Sequence, residues 1–305
     1  MTPARLAFPA MLTGSAALAF GPWLVRLADV APVASAFWRL GLAVVPLLVL
    51  ARVVSGVRRA DSGGDGRAAA RSGVPALVAI ALAGAFFASD LALWHLGIAR
   101  TTLANATLMG NSASFILPVY GFIVARAWPG RAGVAALLCA AGGIALLLGR
   151  SADVSGTHLI GDLLCMGAGA FYAAYFIAVD RVRAQVAPLT LIALATLFGA
   201  LALLPVALVA THAAGAAFWP HAWTPLVLLA IGSQVVGQGL IVFAVGYLPP
   251  LVVGLTLLVQ PAIAATIGAL RFGERVSATE AIGMALVAAA LVLVRLPSLR
   301  AAGAT

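Results

Sequence analysis

The stretch from Thr101 to Arg126 reads TTLANATLMGNSASFILPVYGFIVAR. It places Asn111, Ser112 and Pro118 inside an apolar run that is long enough to cross a bilayer. Polar side chains at that depth cost free energy unless polar partners meet them. They therefore indicate either hydrogen bonds between helices or the lining of a polar pathway.

A similar stretch follows 149 residues later. The run 250–275 reads PLVVGLTLLVQPAIAATIGALRFGER, and its Gln260 and Pro261 occupy the positions of Asn111 and Ser112. Two membrane helices are thus predicted to carry an amide side chain near mid-depth. This pairing suggests that the chain contains two related halves.

The composition is that of an integral membrane protein. Of the 305 residues, 63% are hydrophobic and 9% are charged, which no soluble domain approaches. All 18 basic residues are arginine, so a P-loop phosphate site and a lysine Schiff base are excluded from this chain. The net charge of +9 comes from arginines between the apolar runs, which favours a topology signal over nucleic-acid binding. The two cysteines, Cys139 and Cys165, fall inside predicted spans and indicate neither a disulfide framework nor a metal site.

Apolar runs of about 20 residues, bounded by charge, glycine or proline, predict ten transmembrane helices. The expected spans are 8–27, 32–52, 74–98, 101–125, 131–149, 159–180, 188–211, 223–247, 250–272 and 278–296. Placing the N-terminus inside the cell assigns most arginines to the cytoplasmic side, including the loop between the second and third spans. Both termini are then expected to be cytoplasmic.

The predicted spans divide into five and five. Val30-Ala31-Pro32 opens the second span as Val186-Ala187-Pro188 opens the seventh, and the amide-bearing spans are fourth in each half. An odd number of spans in each half forces the second half to run upside down. We therefore expect an all-α membrane protein built as two inverted repeats, 1–150 and 151–305.

This layout resembles the drug/metabolite transporter superfamily, and in particular its EamA-type ten-span exporters. The resemblance rests on AFWRLGLAVVPLLVL at 36–50 and on GYLPPLVVGLTLLVQPAIAATIGALRFGERVSATEAIGMALV at 246–287. The second run resembles the family pattern of a proline in span nine, a glutamate at the end of that span and a glycine-rich span ten. One departure is that Ala125 stands where an acid matching Glu274 would be expected in the first half.

The resemblance implies a multi-pass protein of the bacterial inner membrane that exports small neutral metabolites, above all amino acids, aromatic ones included. The expected mechanism is alternating access, either by facilitated diffusion or in exchange with protons. Export of drugs or quaternary amines is the first alternative. An intramembrane enzyme is less favoured, because no membrane-embedded serine and histidine or aspartate motif forms a catalytic pattern. A channel is also less favoured, although a polar lining would serve a pore as well as a carrier. No cofactor and no nucleic-acid partner are expected, and a monomer is compatible with this layout.

Asn111 and Gln260 are the predicted substrate contacts. An amide donates and accepts hydrogen bonds at once, so it can meet both the ammonium and the carboxylate of a zwitterion. The alternative is that these amides only join helices. Additional predicted contacts are Gln234 and Gln238, four residues apart in span eight, together with Trp94, Tyr120 and Ser112.

Asp90 is the one carboxylate that the predicted spans place well inside the membrane. Counting about 1.5 Å per residue from the outer ends places Asp90 and Arg39 at similar depths of roughly 10–12 Å. We expect these two residues to pair. The pair either fixes two spans together or takes part in proton coupling or substrate contact.

Pro118 and Pro261 each remove a backbone hydrogen bond within a predicted span. In a transporter such breaks can act as hinges or expose backbone to a site, although proline is also common in membrane helices. Ser277-Ala278-Thr279-Glu280 reads as a capping box that starts span ten, which makes Glu280 structural.

Overall fold

The computed structural model describes residues 3–61, 74–126, 130–148, 156–257 and 259–272, with isolated residues between 278 and 293. Every regular element in these ranges is a helix. In chain order the α-helices are α1 (Pro3–Ala19), α2 (Gly21–Leu27), α3 (Pro32–Asp61), α4 (Val74–Ile98), α5 (Leu103–Gly110), α6 (Ala113–Ala125), α7 (Arg131–Leu148), α8 (Gly156–Val182), α9 (Pro188–Ala213), α10 (Thr224–Leu228), α11 (Gly239–Val245), α12 (Pro250–Leu257) and α13 (Val259–Phe272). A π-helix, Leu229–Gln238, joins α10 to α11.

Seven helical segments among the described residues are long and apolar enough to cross a membrane. They are Ala4–Leu27, Pro32–Val54, Ala76–Ile98, Leu159–Val182, Pro188–Ala213, Thr224–Val245 and Val252–Arg271. Each agrees with a predicted span to within a few residues, so the all-helical membrane prediction is confirmed for this part of the chain. The ten-helix inverted repeat stays a prediction, because spans four and five are shorter helices and about half of span ten lies outside the described residues, as do Glu274 and Glu280.

The fourth predicted span is interrupted at its amide. Helix α5 ends at Gly110, Asn111 and Ser112 form a turn, and α6 begins at Ala113. The backbone amide of Ser112 donates to the carbonyl of Met109 at 3.0 Å. The break therefore lies at Asn111, whereas α6 runs without interruption through Pro118.

Close backbone contacts join the long helices. A Cβ atom at Gly84 in α4 would lie 2.7 Å from the carbonyl oxygen of Ala195 and 2.9 Å from the amide nitrogen of Gly199, both in α9. Only glycine allows this approach, which membrane helices use because lipid offers no hydrophobic force to bring them together. Helices α3, α4, α8 and α9 form the centre of the main core, and large apolar side chains such as Val45, Val209 and Leu270 remain exposed on the outside.

The segment between α9 and α10 folds back over the connection between α2 and α3. The amide of Ala31 donates to the carbonyl of Ala217 at 3.0 Å, and the indole of Trp38 donates to the carbonyl of Phe218 at 2.8 Å. Rings of Phe37, Phe218, Trp219 and Trp223 surround Trp38. This contact covers one end of the helix bundle.

Asp29 fixes the same segment by its side chain. Its carboxylate accepts hydrogen bonds from the backbone amides of His221 and Ala222 at 2.9 and 3.1 Å. Desolvation raises the pKa of Asp29, but these amide donors and the nearby His221 ring together hold the pKa below its ordinary value of 3.8. The carboxylate is thus stabilised in its charged form.

Candidate functional site

A small cavity of about 40 Å³ lies between α1, α3, α4, α5, α8, α13, the π-helix and the Asn111 turn. Six polar residues from distant parts of the chain line it: Arg39, Asp90, Asn111, Tyr172, Gln238 and Gln260. We call it the central cavity. It brings together five of the nine predicted contact and pairing residues, and Trp94 makes a sixth.

One face of α4 supplies much of the cavity wall. Phe87, Asp90, Leu91 and Trp94 follow one another at the three- and four-residue spacing of a single helix face. The indole of Trp94 donates to the carbonyl of Ala106 at 3.1 Å, which fixes the ring against α5. Trp94 therefore presents a fixed aromatic surface to the cavity, close to the Asp90 carboxyl.

Arg39 and Asp90 lie on the wall of this cavity and interact electrostatically. Only 2% of Arg39 and 8% of Asp90 is exposed. The Arg39 guanidinium carbon lies 5.9 Å from the centre of the Phe87 ring, within the range of a cation–π contact. Opposite charges held in an apolar bundle act strongly on each other and on any solute that reaches them.

Gln234 lies behind the cavity wall, although the sequence predicted it as a substrate contact. It is fully buried and does not line the cavity. Its carbonyl oxygen accepts from the Nε of Arg39 at 3.3 Å, and its amide nitrogen donates to the hydroxyl of Thr196 at 3.0 Å. The side chain thus connects α3, α9 and the π-helix at the back of Arg39.

The three amides on the cavity wall differ in how far they are already bonded. Asn111 donates its Nδ2 to the carbonyl of Thr107 at 2.7 Å. Gln238 accepts from the hydroxyl of Tyr172 at 3.1 Å. The Nε2 atoms of Gln238 and Gln260 are buried and have no hydrogen-bond partner among the described residues. A buried donor without a partner costs free energy, and a solute that accepts a hydrogen bond from it would recover that cost. The two Nε2 atoms are therefore candidate contacts for a polar solute.

The remaining predicted residues lie elsewhere. Ser112 is half-buried and its hydroxyl is 3.3 Å from the carbonyl of Met166. Tyr120 lines a second cavity, of about 210 Å³, with residues from α6, α8, α11 and α12. Pro118 lies within α6, and Pro261 is buried near the start of α13, so their roles as hinges stay predictions.

His95, which follows Trp94 in α4, was not among the predicted site residues. The residue is completely buried. Its Nδ1 lies 2.7 Å from the hydroxyl of Ser35 and 3.2 Å from the carbonyl of Pro32. This ring joins α4 to the start of α3, a tertiary contact that the local sequence does not reveal.

Phe87, Leu91 and Thr107 are cavity residues that the sequence analysis missed. A signal for the first two exists, because Phe87 and Leu91 share the helical face of Asp90. Thr107 carried no such signal, since its place depends on how α5 packs. Among the described residues, no group of three or more His, Cys, Asp or Glu side chains could hold a metal ion.

Comparison with known proteins gives evidence about the protein family that does not depend on the cavity. Residues 159–296 match the EamA-like transporter family. The chain is 32% identical over 149 residues to the threonine/homoserine exporter RhtA of Escherichia coli (strain K12) and 31% identical to that of Salmonella typhimurium (strain LT2). Each alignment covers 48% of this chain and 49% of the relative, so the similarity spans about half the length of these curated proteins.

The fold also has a counterpart among solved structures. One crystal structure of a protein superposes with a TM-score of 0.66 over 97% of this chain and 98% of the other, at 18% identity. At that identity the likeness concerns the fold alone.

Proposed function

Residues 159–296 belong to the EamA-like transporter family, and from this premise we propose that the chain is a membrane transporter that exports small neutral metabolites, above all amino acids. The observation that carries the proposal is the central cavity. It holds Arg39, Asp90 and three amides inside an otherwise apolar bundle. Ionisable groups placed in membrane helices are expensive, and they are typical of solute pathways.

The cavity suits a zwitterion. Arg39 supplies a positive charge for a carboxylate, and Asp90 supplies a negative charge for an ammonium group. The free Nε2 donors of Gln238 and Gln260 add directional contacts. Phe87 and Trp94 offer apolar surface, which would admit an aromatic side chain.

We propose that the bundle works by alternating access between two inverted halves, 1–150 and 151–305. The turn at Asn111 supports this idea, since broken helices at mid-membrane are typical of such carriers. Among the described residues, Asp90 is the one acid that lines the central cavity, so proton exchange would depend on it and facilitated diffusion would not. The proposed location is the bacterial inner membrane with both termini cytoplasmic.

A second candidate substrate class is supported by one feature of the same wall. Phe87 and Trp94 lie on either side of Asp90 along α4, an arrangement that also suits a quaternary amine through cation–π contacts. The buried charge of Arg39 acts against a cation in this cavity. Zwitterions are therefore favoured.

A thermal-shift screen of the purified protein tests the proposal. The panel holds L-threonine, L-phenylalanine, a nucleoside and a quaternary amine. A solute that binds the folded protein raises its apparent melting temperature. We expect an amino acid to give the largest increase and to show saturable counterflow in proteoliposomes. If the amine stabilises the protein and the amino acids do not, the second class replaces the first, and linear, non-saturable flux would identify a channel.

A further inference from the structure

The second cavity lies on some of the same predicted spans as the central cavity, namely spans four, six, eight and nine, displaced along them. From the central to the second cavity, the lining moves from Gly110 to Leu117, from Gln238 to Val245 and from Gln260 to Val253. Each step is seven residues along its predicted span, on the order of 10 Å for helical chain. The three steps also point towards the same side of the membrane in the predicted topology. The step in span nine runs towards lower residue numbers because that span is antiparallel to spans four and eight. The two cavities are therefore stacked along one axis.

A layer of buried apolar side chains separates them. At intermediate positions on the same helices, small and branched side chains are almost completely buried: Ala113, Ala173, Val242 and Leu257. Phe176 belongs to this layer and is 2% exposed. Its ring lines the second cavity and lies 4.5 Å, centre to centre, from the ring of Tyr172, which lines the central cavity. The contact between these two aromatic rings thus lies between the two cavities.

The second cavity opens to solvent beside a charged pair. Asp180 and Arg183 form an ion pair, and their side chains are 51% and 40% exposed. Arg183 also donates to the carbonyl of Gly246 at 3.0 Å, at the end of α11. The rest of the lining includes Tyr120, Val245 and Val253. The cavity thus has charged groups at its opening and apolar surface inside. This arrangement suits a small amino acid, whose charged groups can meet the ion pair while its side chain lies against the apolar lining.

We propose that this second cavity is an additional binding site for a small zwitterionic amino acid, at the entrance of the pathway, and that Phe176 separates it from the central cavity. Arg183 meets the carboxylate and Asp180 the ammonium, while the side chain lies against the apolar wall. The ligand class rests on the proposed transport function, and the separation by Phe176 does not. In the expected topology, the entrance faces the cytoplasm, where an exporter collects its solute.

Thiol reactivity tests the separation without any need for transport. In a chain with Cys139→Ala and Cys165→Ala, a cysteine at Leu248 reports on the second cavity and a cysteine at Leu257 reports on the layer. We expect a membrane-impermeant thiol reagent to modify L257C at least about tenfold more slowly than L248C, which corresponds to a barrier of about 1.4 kcal/mol. Phe176→Ala is expected to bring the L257C rate close to that of L248C.

Phe171→Ala is the matched control. Phe171 is on the same helix but is partly exposed on its outer surface, so its removal is expected to leave the L257C rate unchanged. Equal rates for L257C and L248C with Phe176 in place would overturn the separation. So would a similar increase from Phe171→Ala.

Protection by solute tests the binding site itself. Either L-threonine or L-phenylalanine, whichever gives the larger thermal shift, is expected to slow modification of L248C. Arg183→Gln is expected to abolish this protection and to leave the thermal shift from the central cavity in place. Absence of protection, with the thermal shift intact, overturns the second site. Absence of any thermal shift or counterflow overturns the proposed function, and the reactivity comparison still decides whether Phe176 divides the pathway.

Discussion

Gln234 joins Arg39 to Thr196 through the two ends of one buried amide. Arg39 donates its Nε to the Gln234 carbonyl oxygen, and Gln234 donates its Nε2 to the Thr196 hydroxyl. This bond holds the guanidinium through its Nε atom, on the side away from the central cavity. The two terminal nitrogens of Arg39 are not used in this bond. Gln234 is thus well placed to position Arg39 without touching a solute.

Gln234→Ala is expected to destabilise the protein. The change leaves the Nε of Arg39 and the hydroxyl of Thr196 without this partner, at a cost of about 1–3 kcal/mol. The measurement is the melting temperature of the purified protein in detergent. Ser233→Ala is the matched control, because the neighbouring hydroxyl is also buried but has no partner among the described residues. Equal melting temperatures for the two variants would contradict the role assigned to Gln234.

Asp90→Asn is expected to reduce export by roughly tenfold or more, since hydrogen bonds to charged groups contribute about 1.5–3 kcal/mol. The substitution keeps the shape of the side chain and removes the charge that faces Arg39 and the solute. Counterflow is measured in proteoliposomes, with protein yield measured in parallel. Asp162→Asn is the control, since Asp162 accepts from Thr101 at 2.7 Å and does not line the central cavity. Unchanged counterflow and yield for Asp90→Asn would remove both its coupling and its pairing role.

Gln260→Leu is expected to move binding and stability in opposite directions. The variant removes a buried donor without a partner, so the ligand-free protein should melt at the same or a higher temperature. Solute affinity should fall by about tenfold, the loss of one or two hydrogen bonds. Thermal-shift titration gives both values. The control is Thr266→Val on the same helix, whose exposed hydroxyl bonds only within α13. A substitution at Gln260 that lowers stability and spares affinity would show that the amide only joins helices.

Gly84→Ala is expected to destabilise the bundle by about 1–3 kcal/mol, because the added methyl would press against backbone atoms of α9. Gly239→Ala is the control, since nothing lies within 4 Å of the position of its added Cβ atom. There the substitution should be neutral or slightly stabilising, as alanine favours helix. Melting temperatures of the two variants check the difference. A neutral Gly84→Ala would mean that α4 and α9 have room to separate.

The Asp29 contact should make stability depend on pH. The folded protein holds the pKa of this carboxyl below its ordinary value of 3.8, so the carboxylate stabilises the fold above that value. The contribution is lost as the pH falls through the lowered folded pKa. Asp29→Ala should therefore lower the melting temperature at neutral pH, and the gap to the parent should close in strong acid. His221→Ala keeps the backbone donor and is the control, so an equal effect from both variants would assign the contact to the ring.

Hydropathy alone predicted the seven membrane-crossing segments found among the described residues, because a long apolar run is visible in the sequence itself. It also found Asp90 and Trp94, which share one face of α4. Gln234 and Gln238 were assigned together because residues four apart share a face of an α-helix. They lie in a π-helix, and their side chains nevertheless end in different places. Gln238 lines the cavity, whereas Gln234 is bonded to Arg39 and Thr196 behind it, which depends on tertiary contacts with α3 and α9.

Tertiary packing explains what the sequence could not predict. The contact of His95 with Ser35 joins residues 60 positions apart, and no local pattern reports it. Tyr120 was predicted as a substrate contact together with Asn111. It lies nine residues further along the chain, within α6, and lines the second cavity instead.

The approach of α4 to α9 at Gly84 and Gly199 places backbone directly against backbone. Backbone atoms cannot change rotamer, so this contact has less freedom to adjust than one made by flexible side chains. In the proposed carrier, α4 and α9 belong to different halves, and we expect this contact to act as the fixed point about which the halves rock.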